Sequence, residues 1–163
     1  MNQKPLITHE TPIHGSQNLV VRPPEQLVGR DSDLTAIHLA LKAGAAVLLH
    51  GPSGIGKTAL AAHLAAGYSE LPGGVLWFDV DGDSFDILIN RVVRAYRSVL
   101  NPGDEILTSQ VRAVLQENRP LVVLDGRLDA DAAREFVKTI ASTIPVLLTS
   151  DRMLPGPWTP HAV

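Results

Sequence analysis

The sequence predicts a three-layer α/β domain built on a parallel sheet, and three observations carry that prediction. Short apolar runs alternate with amphipathic segments along the chain, the pattern of strands joined by helical crossovers. A glycine-rich stretch, Gly51-Pro52-Ser53-Gly54-Ile55-Gly56-Lys57-Thr58, falls where the first apolar run ends and a helix begins. A later apolar run, Leu121-Val122-Val123-Leu124, closes on the acid Asp125.

Taken in order, residues 1–25 hold Pro5, Pro12, Pro23 and Pro24 and keep no periodicity, so an extended arm is expected there, followed by one domain over 26–163. A first helix begins near Asp31 or Ser32, either of which can cap it. It places Leu34, Ile37 and Leu41 on one face and stops at Gly44. Strand one is expected over 45–49. The alanine-rich helix after the glycine stretch sets Leu60 and Leu64 one turn apart and ends at Gly67. Strand two covers 74–80, and a long helix from about Ser84 presents Ile89, Val92, Val93, Tyr96 and Leu100. Beyond Asn101-Pro102-Gly103 another helix presents Leu107, Val111, Val114 and Leu115. Strand three covers 121–124, and a further helix shows Ala133, Phe136, Val137 and Ile140. Strand four covers 145–149, and 158–163 reads as the start of a fifth.

Composition narrows the class. A chain of 163 residues, 45% hydrophobic and 19% charged, suits one soluble globular domain. The formal net charge of -3 offers no basic surface for nucleic acid or an anionic membrane. Cysteine is absent, which excludes disulfides and thiolate metal sites and fits a reducing cytoplasm. The opening MNQKPLITHETPIHG lacks the apolar core of a signal peptide, and no stretch is long enough to span a membrane. A cytoplasmic location is expected.

The glycine stretch matches G-x-x-x-x-G-K-[ST], the phosphate-binding loop, in the strand-to-helix setting that motif requires. A loop that wraps a phosphate must turn successive N–H groups inward, through backbone angles that glycine reaches cheaply. The helix behind it adds its unpaired amides and the positive end of its dipole. Residues Gly51, Pro52, Ser53, Gly54, Ile55, Gly56, Lys57, Thr58 and Ala59 are therefore the expected phosphate cradle. Lys57 would reach the β- and γ-phosphates, and Thr58 would ligate Mg²⁺. Asp125 is the expected acidic partner on a neighbouring strand, holding the same metal through water. Together these residues read as a site for a nucleoside triphosphate with Mg²⁺.

Three further stretches carry a resemblance. Val28-Gly29-Arg30-Asp31-Ser32-Asp33-Leu34 resembles the hhGRExEL signature of the STAND NTPases, which include the NB-ARC or AP-ATPase modules. Pro72-Gly73-Gly74-Val75-Leu76-Trp77 is similar to their second strand, and Val146-Leu147-Leu148-Thr149-Ser150-Asp151-Arg152 to their sensor segment. The resemblance covers about residues 23–152. It implies a P-loop NTPase fold with strand order 5-1-4-3-2 and an adenine-contacting segment at Val28, Gly29 and Arg30, with Gln26 and Leu27 beside it. It also implies catalytic roles for Lys57, Asp125 and Arg152, with ATP or ADP and Mg²⁺ as cofactors. Read without the resemblance, Gly29 is a turn glycine and Arg30 a solvated residue ahead of a helix.

Two departures bear on mechanism. Many relatives carry a second acid directly after the strand-three aspartate, whereas this chain has Gly126. Slow hydrolysis is expected from that, and Gly126→Asp is expected to raise it. The position after Thr149-Ser150 holds Asp151, with the arginine displaced to Arg152. Asp129 and Asp131 read as helix caps. Relatives continue into helical and winged-helix domains that close over the nucleotide. Those domains are absent from this sequence, so a domain excised from a longer regulator, with nucleotide-controlled self-association, is expected.

Other residues receive plainer readings. Asp79, Asp81 and Asp83 are expected as solvated turn residues, His50 as a neutral histidine at a strand end, and Arg91, Arg94 and Arg97 as a solvated helix face. Three other functions stay open: a small P-loop kinase, a ring-forming motor ATPase, and an interaction domain whose nucleotide is purely structural. Gly126 weighs against the motor, and the lack of an arginine-rich lid weighs against the kinase.

Overall fold

The computed structural model describes residues 22–69, 71, 73–101, 103 and 105–163. The arm expected over 1–25 therefore lies, up to residue 21, outside the described residues. The elements run α1 (Asp31–Lys42), β1 (Ala46–His50), α2 (Lys57–Tyr68), β2 (Val75–Asp81), α3 (Phe85–Ala95), α4 (Thr108–Asn118), β3 (Leu121–Arg127), α5 (Ala130–Thr139), β4 (Val146–Ser150) and β5 (Thr159–Ala162). The sheet is ordered β2-β3-β4-β1-β5 with every pairing parallel, so the strand order 5-1-4-3-2 holds.

Alternation along the strands divides the core into two layers. Val47, Leu49, Leu121, Val123 and Leu147 face α1 and α2, packing with Ile37, Leu41, Leu60 and Leu64. Leu48, Phe78, Val122, Leu124, Val146 and Leu148 face α3, α4 and α5, packing with Val92, Val111, Leu115 and Phe136. Both faces of β1, β3 and β4 are covered, which is why these strands read as unbroken apolar runs. Short β5 forms an edge against β1 alone, where Pro160 is tolerated.

Several elements differ from expectation. Asp31 and Ser32, the expected caps, lie inside α1; the N-cap position is held by Arg30, whose side chain has no acceptor and makes no cap. Helix α2 continues through Gly67 to Tyr68. The long helix ends at Ala95, and Tyr96 and Leu100 reach the core from the turns that follow. Leu107 precedes α4 and is exposed, so it is not part of that helix's buried face. Strand β3 runs on to Arg127, which places Asp125 inside the strand, opposite Asp79 of β2. Helix caps Ser84 and Asp129 accept from the amides of Ile87 and Ala132, as Asp129 was expected to do, whereas Asp131 lies in the first turn of α5 and pairs with Arg134. Arg91 is not solvated: it donates to Asp83 at 2.7 Å and to the Asp79 carbonyl at 2.9 Å, and its guanidinium lies 5.9 Å from the Phe78 ring centroid. Asp81 and Arg127 join the exposed ends of β2 and β3.

Candidate functional site

The parallel sheet gathers the C-terminal ends of its strands at one edge, and the glycine loop leaves β1 there, between β4 and β5. Gly51 N–H donates to the Ser150 carbonyl at 3.2 Å, tying the start of the loop to β4. The loop ends at Gly56, whose left-handed backbone (φ 101°, ψ 20°) forms the N-cap of α2. Apart from their chain neighbours, no atom lies within 4 Å of where a Cβ at Gly54 or Gly56 would stand, so the backbone is open at these two positions. The first bond of the helix runs from Leu60 N–H to Gly56 C=O. The amides of Lys57, Thr58 and Ala59 therefore precede the intrahelical ladder. No acid occupies the first turn of α2, in contrast to Asp31 and Asp33 in α1, so its positive end is left for an anion. Lys57 Nζ curls over the loop and donates to the carbonyls of Gly51 and Pro52 at 2.8 and 2.9 Å. That places an ammonium above the cradle.

Behind the loop, α2 packs on the sheet face that carries Asp125. Thr58 Oγ1 lies 3.0 Å from both carboxylate oxygens of Asp125. Thr149 Oγ1 donates to the same carboxylate at 2.7 Å and accepts from the Gly126 amide at 3.0 Å. Asp125 and Thr149 are both buried, at 8% and 2% exposure, so this network fixes the carboxylate in one orientation. A hydroxyl and a carboxylate in contact at the foot of a phosphate cradle make an all-oxygen donor set. That set fits Mg²⁺, which takes one or two protein ligands and completes its shell with water and phosphate oxygens. Among the described residues no cluster of three His, Cys, Asp or Glu side chains gathers to hold a metal.

Gly126 is a structural requirement, and the expected gain from Gly126→Asp does not survive it. Its φ is 128°, and a Cβ there would stand 2.3 Å from the Val80 carbonyl oxygen of β2. The neighbouring strand leaves no room for any side chain at this position. Hence an acid cannot be introduced there without parting β2 from β3.

The remaining expected residues lie around this centre. Val28 is 88% exposed beside Gly29, whose φ is 74°, and Leu27 packs against the α1–α2 core. Arg30 bonds Asp33 at 3.2 Å, and Asp33 also meets His161 of β5 at 3.2 Å. The Arg30 guanidinium, followed by His161, holds the Asp33 carboxyl below its usual range. Asp151 and Arg152 sit on the exposed turn after β4, where the Arg152 amide donates to Ser150 Oγ at 3.3 Å. The structure thus brings Lys57, Thr58 and Asp125 together, and it leaves the Arg152 guanidinium outside that network. Two features escaped the sequence. Thr149 was read as the end of strand four within the sensor-like segment and given no partner, although a hydroxyl closing a buried apolar strand is a signal for one. The His161–Asp33 contact joins residues 128 positions apart, and nothing in their spacing announces it.

A five-stranded parallel sheet with this loop after β1, an interior strand, and an aspartate on β3 defines a P-loop nucleoside-triphosphate-binding domain. The chain belongs to the AAA ATPase domain family, which it matches over residues 26–154. No curated protein matches it significantly. Among solved structures, C. elegans PCH-2 superposes with a TM-score of 0.43 at 14% identity, over 75% of this chain and 36% of that one. A chain of Drosophila ORC bound to DNA gives 0.43 at 18% identity, over 89% and 42% respectively. The chain therefore spans less than half the length of either. No helix among the described residues is long and apolar enough to cross a membrane.

Proposed function

We propose that the chain is the ADP/ATP-binding core of a STAND-type signalling switch, in which slow Mg²⁺-dependent ATP hydrolysis resets the state. The observation that carries this reading is the contact of Thr58 with Asp125, which joins the phosphate loop to the acidic strand. The amides at 54–59 and the Lys57 ammonium bind the phosphate tail, Lys57 exchanging its two loop carbonyls for phosphate oxygens. Thr58 and Asp125 would hold Mg²⁺, which would supply charge neutralisation to the phosphate tail when bound. Thr149 keeps the Asp125 carboxylate turned toward Thr58. Val28, Gly29 and Arg30 contact the adenine, and Arg152 approaches the γ-phosphate only when the turn after β4 moves.

Slow turnover follows from position 126. General-base assistance contributes about 10²- to 10⁴-fold, and no side chain can stand there to provide it. In a switch this is suitable, because the difference in contacts between ATP and ADP biases a two-state equilibrium and turnover only resets it. The reading assigns 26–163 to nucleotide binding and 1–25 to an arm. Its partners are helical and winged-helix domains that close on the nucleotide, and further copies that associate when it is exchanged.

The test is nucleotide binding by purified protein, with and without Mg²⁺, followed by single-turnover phosphate release. Bound ADP or ATP in denatured protein, with release far slower than binding, supports the switch. Indifference of the loop to adenine nucleotides, also when helical and winged-helix domains are supplied, refutes it.

A further inference from the structure

The phosphate loop grips charge and does not distinguish one base from another, so selectivity must be built elsewhere. Under the proposed function, the base is contacted by Val28, Gly29 and Arg30, and what holds that segment in place is visible. Leu27 packs into the α1–α2 core on one side, and Arg30 starts α1 on the other, its carbonyl accepting from Leu34 N–H. The fixed point beyond Arg30 is Asp33. One carboxylate oxygen accepts from Arg30 Nη1 and the other meets His161 Nε2, each at 3.2 Å. All three side chains are largely covered, at 29%, 26% and 22% exposure. An ionised carboxylate only accepts, so His161 carries its hydrogen on Nε2.

An Arg–Asp pair three residues apart on a helix surface contributes little by itself. The histidine changes its meaning, because it comes from another element. His161 lies on β5 in register with Leu49, and two residues on, Val163 N–H donates to the His50 carbonyl. The Val163 carbonyl oxygen lies 3.1 Å from the point where a Cβ on Gly51 would stand. A continuous set of contacts therefore runs from Arg30 through Asp33 and His161 along β5 to the first residue of the phosphate loop.

We infer that Asp33 is a positioning residue for base selectivity: by holding Arg30 and His161 at once it fixes the base-side segment relative to the phosphate loop. This rests on the reading that residues 28–30 contact the base. When base and phosphates are gripped by one rigid unit, a nucleotide gains affinity over its bare phosphate tail. When the segment is released, the tail still binds and the base contributes less.

Calorimetric titration of the full chain with ADP, GDP and inorganic tripolyphosphate tests it. Asp33→Asn is expected to weaken ADP by about tenfold and narrow its advantage over GDP, while tripolyphosphate affinity stays within about twofold. His161→Leu, on the edge strand, should give the same split should Asp33→Asn fail to fold, and His161→Gln, which keeps a donor, should restore ADP binding. Equal losses for ADP and tripolyphosphate would make Asp33 merely structural and overturn the inference. So would an undiminished preference for ADP in Asp33→Asn and His161→Leu. A wild-type chain that binds tripolyphosphate without preferring ADP over GDP would instead overturn the base-contact reading, and the inference with it.

Discussion

Replacing Gly126 by alanine is the smallest perturbation that separates a required glycine from a missing catalytic acid. The added Cβ would stand 2.3 Å from the Val80 carbonyl oxygen, where ordinary contact begins at 3.4 Å. The strands must therefore part by about 1 Å at a point where β2 and β3 are paired on both sides, from Val75 with Leu121 to Asp81 with Arg127. Overpacking of this kind costs about 1–3 kcal/mol. Holding a non-glycine residue at φ 128° adds about 1–3 kcal/mol more. A loss of about 2–6 kcal/mol is a large part of the 5–15 kcal/mol typical of a domain. Urea denaturation followed by tryptophan fluorescence and circular dichroism measures it. With a slope of about 2 kcal/mol/M, the midpoint should fall by about 1–3 M. Gly126→Asp should lose at least as much and release no additional phosphate. A Gly126→Ala midpoint within about 0.3 M of wild type, at unchanged slope, would refute the packing reasoning.

The other predictions concern the site. Lys57→Ala should abolish nucleotide binding and leave the circular dichroism spectrum unchanged; unaltered ADP affinity would contradict the cradle. Thr149→Val removes the donor to Asp125 and the acceptor for Gly126 N–H at a buried position, so it should cost about 1–3 kcal/mol in denaturation. The same variant should weaken Mg²⁺-dependent nucleotide binding more than Mg²⁺-free binding, and equal weakening would count against Thr149 orienting the carboxylate. Asp33 titrates below its ordinary 3.8 because Arg30 and His161 favour its charged form. Its contribution to stability is complete above that value and is lost as pH falls through the lower, folded value. Asp33→Asn should therefore be less stable than wild type at pH 7, with the gap closing below about pH 4; a gap that persists in acid would exclude the charge as its cause.

How far the site was legible depends on how local each signal is. The phosphate loop was legible because glycines, lysine and threonine act within one turn of one another, and Lys57 bonds to carbonyls of its own loop. Asp125 was legible because a buried parallel strand is a continuous apolar run, against which an acid stands out. Gly126 was read as a lost acid, since its reason lies on another strand, in the Val80 carbonyl. Helix ends were misread for a similar reason. Leu107 fits the period of α4 but precedes it and points to solvent, while Tyr96 and Leu100 keep the apolar pattern past the last turn of α3.

The sequence by itself determined the layers, the strand order expected from its resemblance, and the phosphate-binding chemistry. The strand order came from the resemblance, whereas the layers and the phosphate-binding motif are written in short-range patterns: alternation, apolar runs, and a contiguous motif. Only the tertiary structure decided that Thr149 orients Asp125, that position 126 has no space for an acid, and that Asp33 joins Arg30 to His161. Those facts depend on which strands lie side by side and how closely their backbones approach. Residues far apart in the chain acquire such relations only when the sheet is assembled.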